Sequence, residues 1–275
     1  MLTRLTFATA ISLTPVMASA NAAPADVAAL FEAMNMPEMI EIMRAEGLDY
    51  GEQIANDLFP DRISATWPDT VADIYNLEAM RAGFAAQFGE ALGDTDIDVL
   101  IAFYESDVGQ SVADLEVAAR RALMDEDFEE ASKEAAALAI AEEAPRVAMV
   151  EQFVDANDLV ETNVVGAMNA NFAFYLGLLD GGAFPQELTV DQILADVWSQ
   201  EDDIRKNTYE WVYSYLLLAY QPLSDADLQT YIAFSESDEG QAMNTALFAA
   251  FDEMYEGISR ALGLASSEYM SGQDL

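Results

Sequence analysis

The spacing in this chain that comes nearest to reactive or metal-binding chemistry is Asp94-Thr95-Asp96-Ile97-Asp98, with Glu105 eleven residues after the first aspartate. Alternating acidic ligands closed by a glutamate are what a calcium-binding EF-hand loop uses, because a hard cation takes carboxylate oxygens. The pattern fails where that loop needs its turn glycine: Val99 stands there, and Ile101-Ala102-Phe103 reads as helix. The same aspartates suit the first turn of a capped helix, where carboxylates face the positive end of the helix dipole. A second option is Glu105 with Glu236, which recur beside Ser106 and Ser237. Two carboxylates buried together could divide acid and base work, since mutual repulsion splits their pKa values; at a helix corner they would instead be exposed. The third option is binding. Trp198, Tyr209, Trp211, Tyr213, Tyr215 and Tyr220 combine flat apolar bodies with polar tips, which suits pockets and interfaces. Tyr209 and Tyr213 lie off the helix stripe that would pack the core, which makes them the candidates for a ligand or partner surface.

What is missing narrows the chemistry further. The chain has no cysteine and no histidine, which removes thiolate nucleophiles, disulfides, the Ser-His-Asp arrangement and most zinc or copper sites. Carboxylates, Lys, Tyr and Ser remain. No residue is assigned a catalytic, cofactor-binding or metal-ligating role, and no cofactor is expected.

The elements that would position such residues are organised around a repeated string. Asp94–Gln110, DTDIDVLIAFYESDVGQ, returns as Asp225–Gln241, DADLQTYIAFSESDEGQ, with ten of 17 positions identical at an offset of 131. A match this long at one offset reads as an internal duplication. Each string spells a helical corner. Ser224 caps a short helix with Asp225 and Asp227 in its first turn, Leu228, Tyr231 and Ile232 share a face, and Ser237 or Asp238 opens the next helix. Gly240, lacking a Cβ, lets another backbone approach in that opening turn. Phe103, Glu105, Ser106, Gly109 and Gln110 in the first string, and Phe234, Glu236, Ser237, Gly240 and Gln241 in the second, are read as structural motif residues.

These corners resemble the bacterial domain of unknown function 2059, whose members carry an apolar helix ending in Phe-x-x-Ser and a Gly-Gln shortly after. Phe103, Ser106, Gly109 and Gln110 carry the resemblance once, and Phe234, Ser237, Gly240 and Gln241 carry it again. Where the family often has proline after the serine, this chain has Asp107 and Asp238. The resemblance implies an exported, all-helical bacterial domain and supplies no reaction or ligand.

Fifty acidic residues against 11 basic ones give a formal charge of −39. Such a surface repels nucleic-acid phosphates, so no nucleic-acid partner is expected. Residues 1–22 have the form of a secretory signal: Arg4, an apolar stretch from Leu5 to Met17, then Ala18-Ser19-Ala20 or Ala20-Asn21-Ala22 for cleavage. That stretch is too short to cross a bilayer, and no later segment is apolar for long enough. The expectation is therefore a chain exported to the periplasm of a Gram-negative bacterium, with no integral membrane segment after cleavage.

Along the chain, Val27, Leu30, Phe31 and Met34 make one helical stripe, Met39 to Gly47 a second helix, and Ile54 to Phe59 a third. A longer helix is expected from Asp69 to Phe88, ended by Gly89 and Gly93. The acidic run Asp125–Glu130 is a solvated face or a break, and Pro145 opens the second half. Met80 and Phe84 align with Trp211 and Tyr215. About eleven additional residues of the second half are expected within 163–189. The predicted architecture is all-α: two similar helical bundles arising from internal duplication, residues 23–144 and 145–264, and a flexible tail at 265–275; the halves could also merge into one bundle. The favoured function is a non-catalytic module binding a protein, a peptide or a small apolar ligand. The alternative is a carboxylate-based or divalent-cation-dependent hydrolase.

Overall fold

The structure, a computed structural model, describes residues 24–60, 65–184 and 188–271. The expected export signal, residues 1–22, lies outside them. Among the described residues the chain is all-α, with thirteen helices and no strand: α1 (Pro24–Ala33), α2 (Met36–Leu58), α3 (Trp67–Ile74), α4 (Leu77–Leu92), α5 (Ile97–Tyr104), α6 (Asp107–Ala122), α7 (Glu126–Ala141), α8 (Pro145–Ala156), α9 (Leu159–Asp180), α10 (Val190–Trp198), α11 (Glu201–Ala219), α12 (Asp225–Ser235) and α13 (Asp238–Ser271). Among the described residues no helix is long and apolar enough to cross a membrane.

Several boundaries depart from the sequence reading, each for an identifiable reason. Helix α2 runs unbroken through Gly47 and Gly51, where two helices were expected. These glycines are contact points: a Cβ at Gly47 would collide with the Tyr75 ring, and one at Gly51 with the Val71 side chain of α3. Trp67 Nε1 donates to the Gly51 carbonyl at 2.8 Å on the same seam. The single helix expected over 69–88 is two, because Asn76 caps α4 by accepting from the Ala79 N–H at 3.0 Å. Asp125 likewise accepts from Phe128 N–H and starts α7, so the acidic run contains a break. The tail is a correction. Helix α13 continues through Ser271, and Tyr269 is buried against Phe59 and Trp67, its hydroxyl 2.9 Å from those of Thr66 and Thr70.

In chain order α1–α6 and α8–α13 run in parallel, with α7 between them. Helices α9 and α10 match α2 and α3 in length, 22 against 23 residues and 9 against 8. At the string's offset of 131 Leu77 pairs with Thr208, which leaves the seven residues Glu201–Asn207 at the start of α11 without a counterpart at the start of α4.

The halves, which the sequence left as separate or merged, share their cores. Met243, Ala250, Ile258, Leu262 and Tyr269 of α13 complete the apolar core of α1–α5. Val112 and Ala119 of α6 complete the core built by α8, α11 and α12. The sixth helix of each half thus crosses to the other half, α6 onto α11 and α12, α13 onto α4 and α5. Helix α13 also lies along α9, where Gly177 and Gly263 bring the backbones together. A Cβ on either would meet main-chain atoms of the opposite helix.

Candidate functional site

The two corner strings meet. Phe103 and Phe234 stack with ring centroids 3.7 Å apart and planes 3° from parallel. Both corners close with the same hydrogen bonds. Ser106 Oγ donates to the Phe103 carbonyl at 2.6 Å and accepts from Gly109 N–H at 3.1 Å; Ser237 does the same with Phe234 and Gly240 at 2.6 and 3.1 Å. A Cβ at Gly109 or Gly240 would strike the carbonyl oxygen of Phe103 or Phe234, so the close approach is made by the corner's own backbone. Gln110 Nε2 donates to the Glu105 carbonyl at 2.9 Å, and Gln241 Nε2 to the carbonyls of Ser235 and Ala156 at 2.6 and 2.8 Å. Glu105 and Glu236 are exposed, and no hydrogen bond joins them to one another. Glu236 accepts from Gln152 at 2.9 Å, while the Glu105 side chain has no partner among the described residues. Nor, among these residues, does any group of three or more Asp or Glu stand where it could hold a metal, Asp94, Asp96 and Asp98 included.

Beside the stacked phenylalanines, α6 meets α11 and α12 through polar groups. Glu116 is half-buried, and its Oε1 accepts from Tyr220 at 2.6 Å and Tyr231 at 3.2 Å. The Tyr215 hydroxyl donates to the Glu116 carbonyl at 3.1 Å. Burial pushes the Glu116 carboxyl above the ordinary glutamate range, against the pull of the two tyrosine hydrogen bonds. The hydroxyls of Tyr104, Tyr220 and Tyr231 are raised too, by burial first and by the Glu116 charge second.

One turn further along α6, Arg120 forms a two-pronged pair with Glu46 of α2, Nε to Oε1 at 2.8 Å and Nη2 to Oε2 at 2.7 Å. Its guanidinium lies 5.1 Å from the centre of the Trp211 ring, and Trp211 stacks on Tyr215 at 5.1 Å. The planar fork can hold a carboxylate and an aromatic face at once, which a lysine could not.

Arg120 and Trp211 border a pocket of about 450 Å³ between the halves, to which α2 contributes Met43, α9 Asn163 and Gly166, and α13 Phe248, Phe251, Asp252 and Tyr255. The Asp252 carboxylate is in this wall because Gly166 leaves room: a Cβ there would lie 2.7 Å from Oδ1. Asp252 forms no hydrogen bond or ion pair with any described residue, and burial raises its pKa. An apolar cleft with a few convergent polar groups and a perturbed carboxyl has the make-up of a ligand pocket.

Residues 78–137 match the profile of a family described as uncharacterized protein conserved in bacteria (DUF2059). No curated protein and no solved structure matches the chain. The matched segment spans α4, α5, α6 and most of α7. It includes Phe103, Ser106, Gly109 and Gln110, and also Glu116 and Arg120, whereas the corner at Phe234–Gln241 lies outside it.

Tyr209 and Tyr213 stand on a second concavity, a groove of about 800 Å³ between α7 and α11. Their rings are 4.3 Å apart, but Tyr213 is only 5% exposed and belongs to the core, while Tyr209 is 39% exposed. Lys133 and Lys206, the two lysines of the chain, face this groove with Arg205. Glu129 holds Lys133 at 2.9 Å, and Glu161 and Glu201 each hold Arg205 at 2.7 Å. The sequence reading missed Glu46, Glu116, Arg120 and Asp252. A weak signal existed for two of them: Glu116 sits among Val112, Val117 and Ala119, and Asp252 adjoins the stripe of Phe248, Phe251 and Tyr255.

Proposed function

We propose that this protein is an exported, periplasmic binding module, built from two copies of one six-helix unit, which takes a small ligand into the pocket between its halves. The observation that carries the reading is a cleft closed by residues from both halves, in which Arg120 is already committed to Glu46 and Trp211 while Asp252 has no partner among the described residues. Asp252 is half-buried, and with no protein partner among those residues its carboxylate keeps its hydrogen-bonding capacity for a molecule that enters the cleft. Binding is favoured over hydrolysis because histidine and cysteine are absent, and Arg120 and Asp252 do not form a nucleophile with its base. The two-copy reading is supported by the 17-residue match, the common helix order and the identical corner hydrogen bonds. Export is supported by the composition of residues 1–22.

The test is a thermal-shift screen of residues 23–275 against small organic molecules of both charge signs and of none, run in parallel on Ala170→Phe. Ala170 lines the pocket, so its enlargement fills the space. Ligands that bind the folded state raise Tm by mass action. At least one chemical class is expected to raise the Tm of the wild type and not that of the variant. Hits that stabilise both proteins equally, or no hit at all, would remove the pocket from consideration.

A further inference from the structure

The geometry points to an organic cation, an amine carried on an apolar or aromatic body, as the ligand of the pocket between the halves, with Asp252 as its anchor. The inference rests on the pocket being a ligand site and adds the sign and shape of what it holds. The pocket borders two charged groups, Arg120 and Asp252. Arg120 is neutralised by Glu46 through two hydrogen bonds, and its side chain is only 19% exposed, so it has little left to offer an anion. Asp252 is the charge without a counterpart. It is half-buried in the pocket wall, and the cost of that partial desolvation falls when a cation sits beside the carboxylate.

The walls fit the rest of such a molecule. Phe248, Phe251 and Tyr255 present ring surface to the same space, and ring faces attract ammonium groups while sheltering an apolar body. Glu253, next to Asp252, and Glu256, one turn further along α13, add negative charge close by. The whole chain, at −39, concentrates cations near its surface and depletes anions. Charge, shape and field select the same class.

The probe set is 2-phenylethylamine, its neutral counterpart 2-phenylethanol and the anion 3-phenylpropanoate, titrated calorimetrically into residues 23–275 at neutral pH. The amine is expected to bind about tenfold more tightly than the alcohol, with the anion weakest. In Asp252→Asn, which keeps side-chain size, the preference for the amine over the alcohol is expected to vanish. Loose condensation of amine on the acidic surface would survive that substitution, because it removes one of 50 acidic residues. Equal binding of amine and alcohol, preference for the anion, retention of the preference in Asp252→Asn, or no binding by any of the three would each overturn the cation assignment. The pocket itself fails on a separate criterion, the insensitivity of ligand stabilisation to Ala170→Phe.

Discussion

Two helix crossings of this molecule occupy corresponding places and are built in opposite ways. Where α13 crosses α4, Phe84 packs on Phe251 with ring centroids 4.7 Å apart and on Phe88 at 5.9 Å. Where α6 crosses α11, the positions 131 residues away from Phe84, and from Phe251 in the other direction, are Tyr215 and Arg120. Leu247 has Glu116 as its counterpart, and Met80 has Trp211. One crossing is an aromatic core; the other is a chain of hydroxyls, a carboxylate and a guanidinium. Apolar packing tolerates small shifts, because dispersion and burial have no direction. Hydrogen-bonded groups do not, since each partner lost leaves a desolvated polar atom behind. The polar crossing therefore fixes Arg120 and Trp211 in place at the pocket, and the apolar one stabilises through burial of its rings. Position 251 and position 120 border the same pocket, one as a phenyl ring and the other as a guanidinium.

The comparison can be broken from the apolar side first. Phe84 is fully buried, and Phe84→Ala should destabilise the protein by about 3–5 kcal/mol through lost burial and the cavity left behind. Urea unfolding measures it; a loss below about 1 kcal/mol would mean that this crossing is not the stabilising one. The next effect is on the polar side. Arg120→Met leaves Glu46 without its partner and should cost about 2 kcal/mol, less than a fully buried pair because Glu46 keeps some contact with water. Adding Glu46→Gln should recover part of that loss, and a double-mutant cycle reports the coupling. Additive effects would show that the pair does not act as a unit.

Tyr215→Phe, which makes the polar crossing more like the apolar one, should cost only about 1 kcal/mol for the bond to the Glu116 carbonyl. Its larger consequence should be a looser Trp211, visible as a change in tryptophan fluorescence. The smallest expected effect is a slope against pH. The Glu116 carboxyl is raised by burial, so the folded state holds its proton where the unfolded chain has released it. Its contribution is full below the ordinary glutamate range and declines as pH rises from there through the raised value of the folded state. Asp252 and Glu256, also raised by burial, act with the same sign. Glu116→Gln should make the decline of stability above the ordinary glutamate range shallower than in the wild type. An unchanged slope would assign the pH dependence to the other two.

What could be read from the sequence depended on range. The corners were legible because capping is local: a serine, its N–H partner three residues on and the glycine that clears the turn are all within one short string. Ambiguity began where a residue's reason lay elsewhere. Gly47 looks like a helix stop until Tyr75 is seen to need its space, and Asn76 becomes a cap only because the chain turns there. Tyr269 ends a stretch that reads as frayed, and a cluster on α3 that is nearly 200 residues earlier holds it. The pocket was not legible at all. Arg120 and Asp252 lie 132 residues apart, and no periodicity brings them to one cleft. The reading of Tyr209 and Tyr213 as off the stripe led to a groove for one ring and the core for the other.

The glycine contact between α9 and α13 bears on how the pocket could open. With backbone touching backbone at Gly177 and Gly263, the two helices cannot slide or roll without steric conflict, and they behave as one rigid beam. Phe248 and Asp252 are mounted on this beam, as is the floor at Asn163 and Gly166. The facing wall of α6 and α11 is pinned in turn by the hydrogen bonds of Arg120 and Tyr215, so neither side yields and the pocket is a preformed cleft, which lowers the ordering cost of filling it.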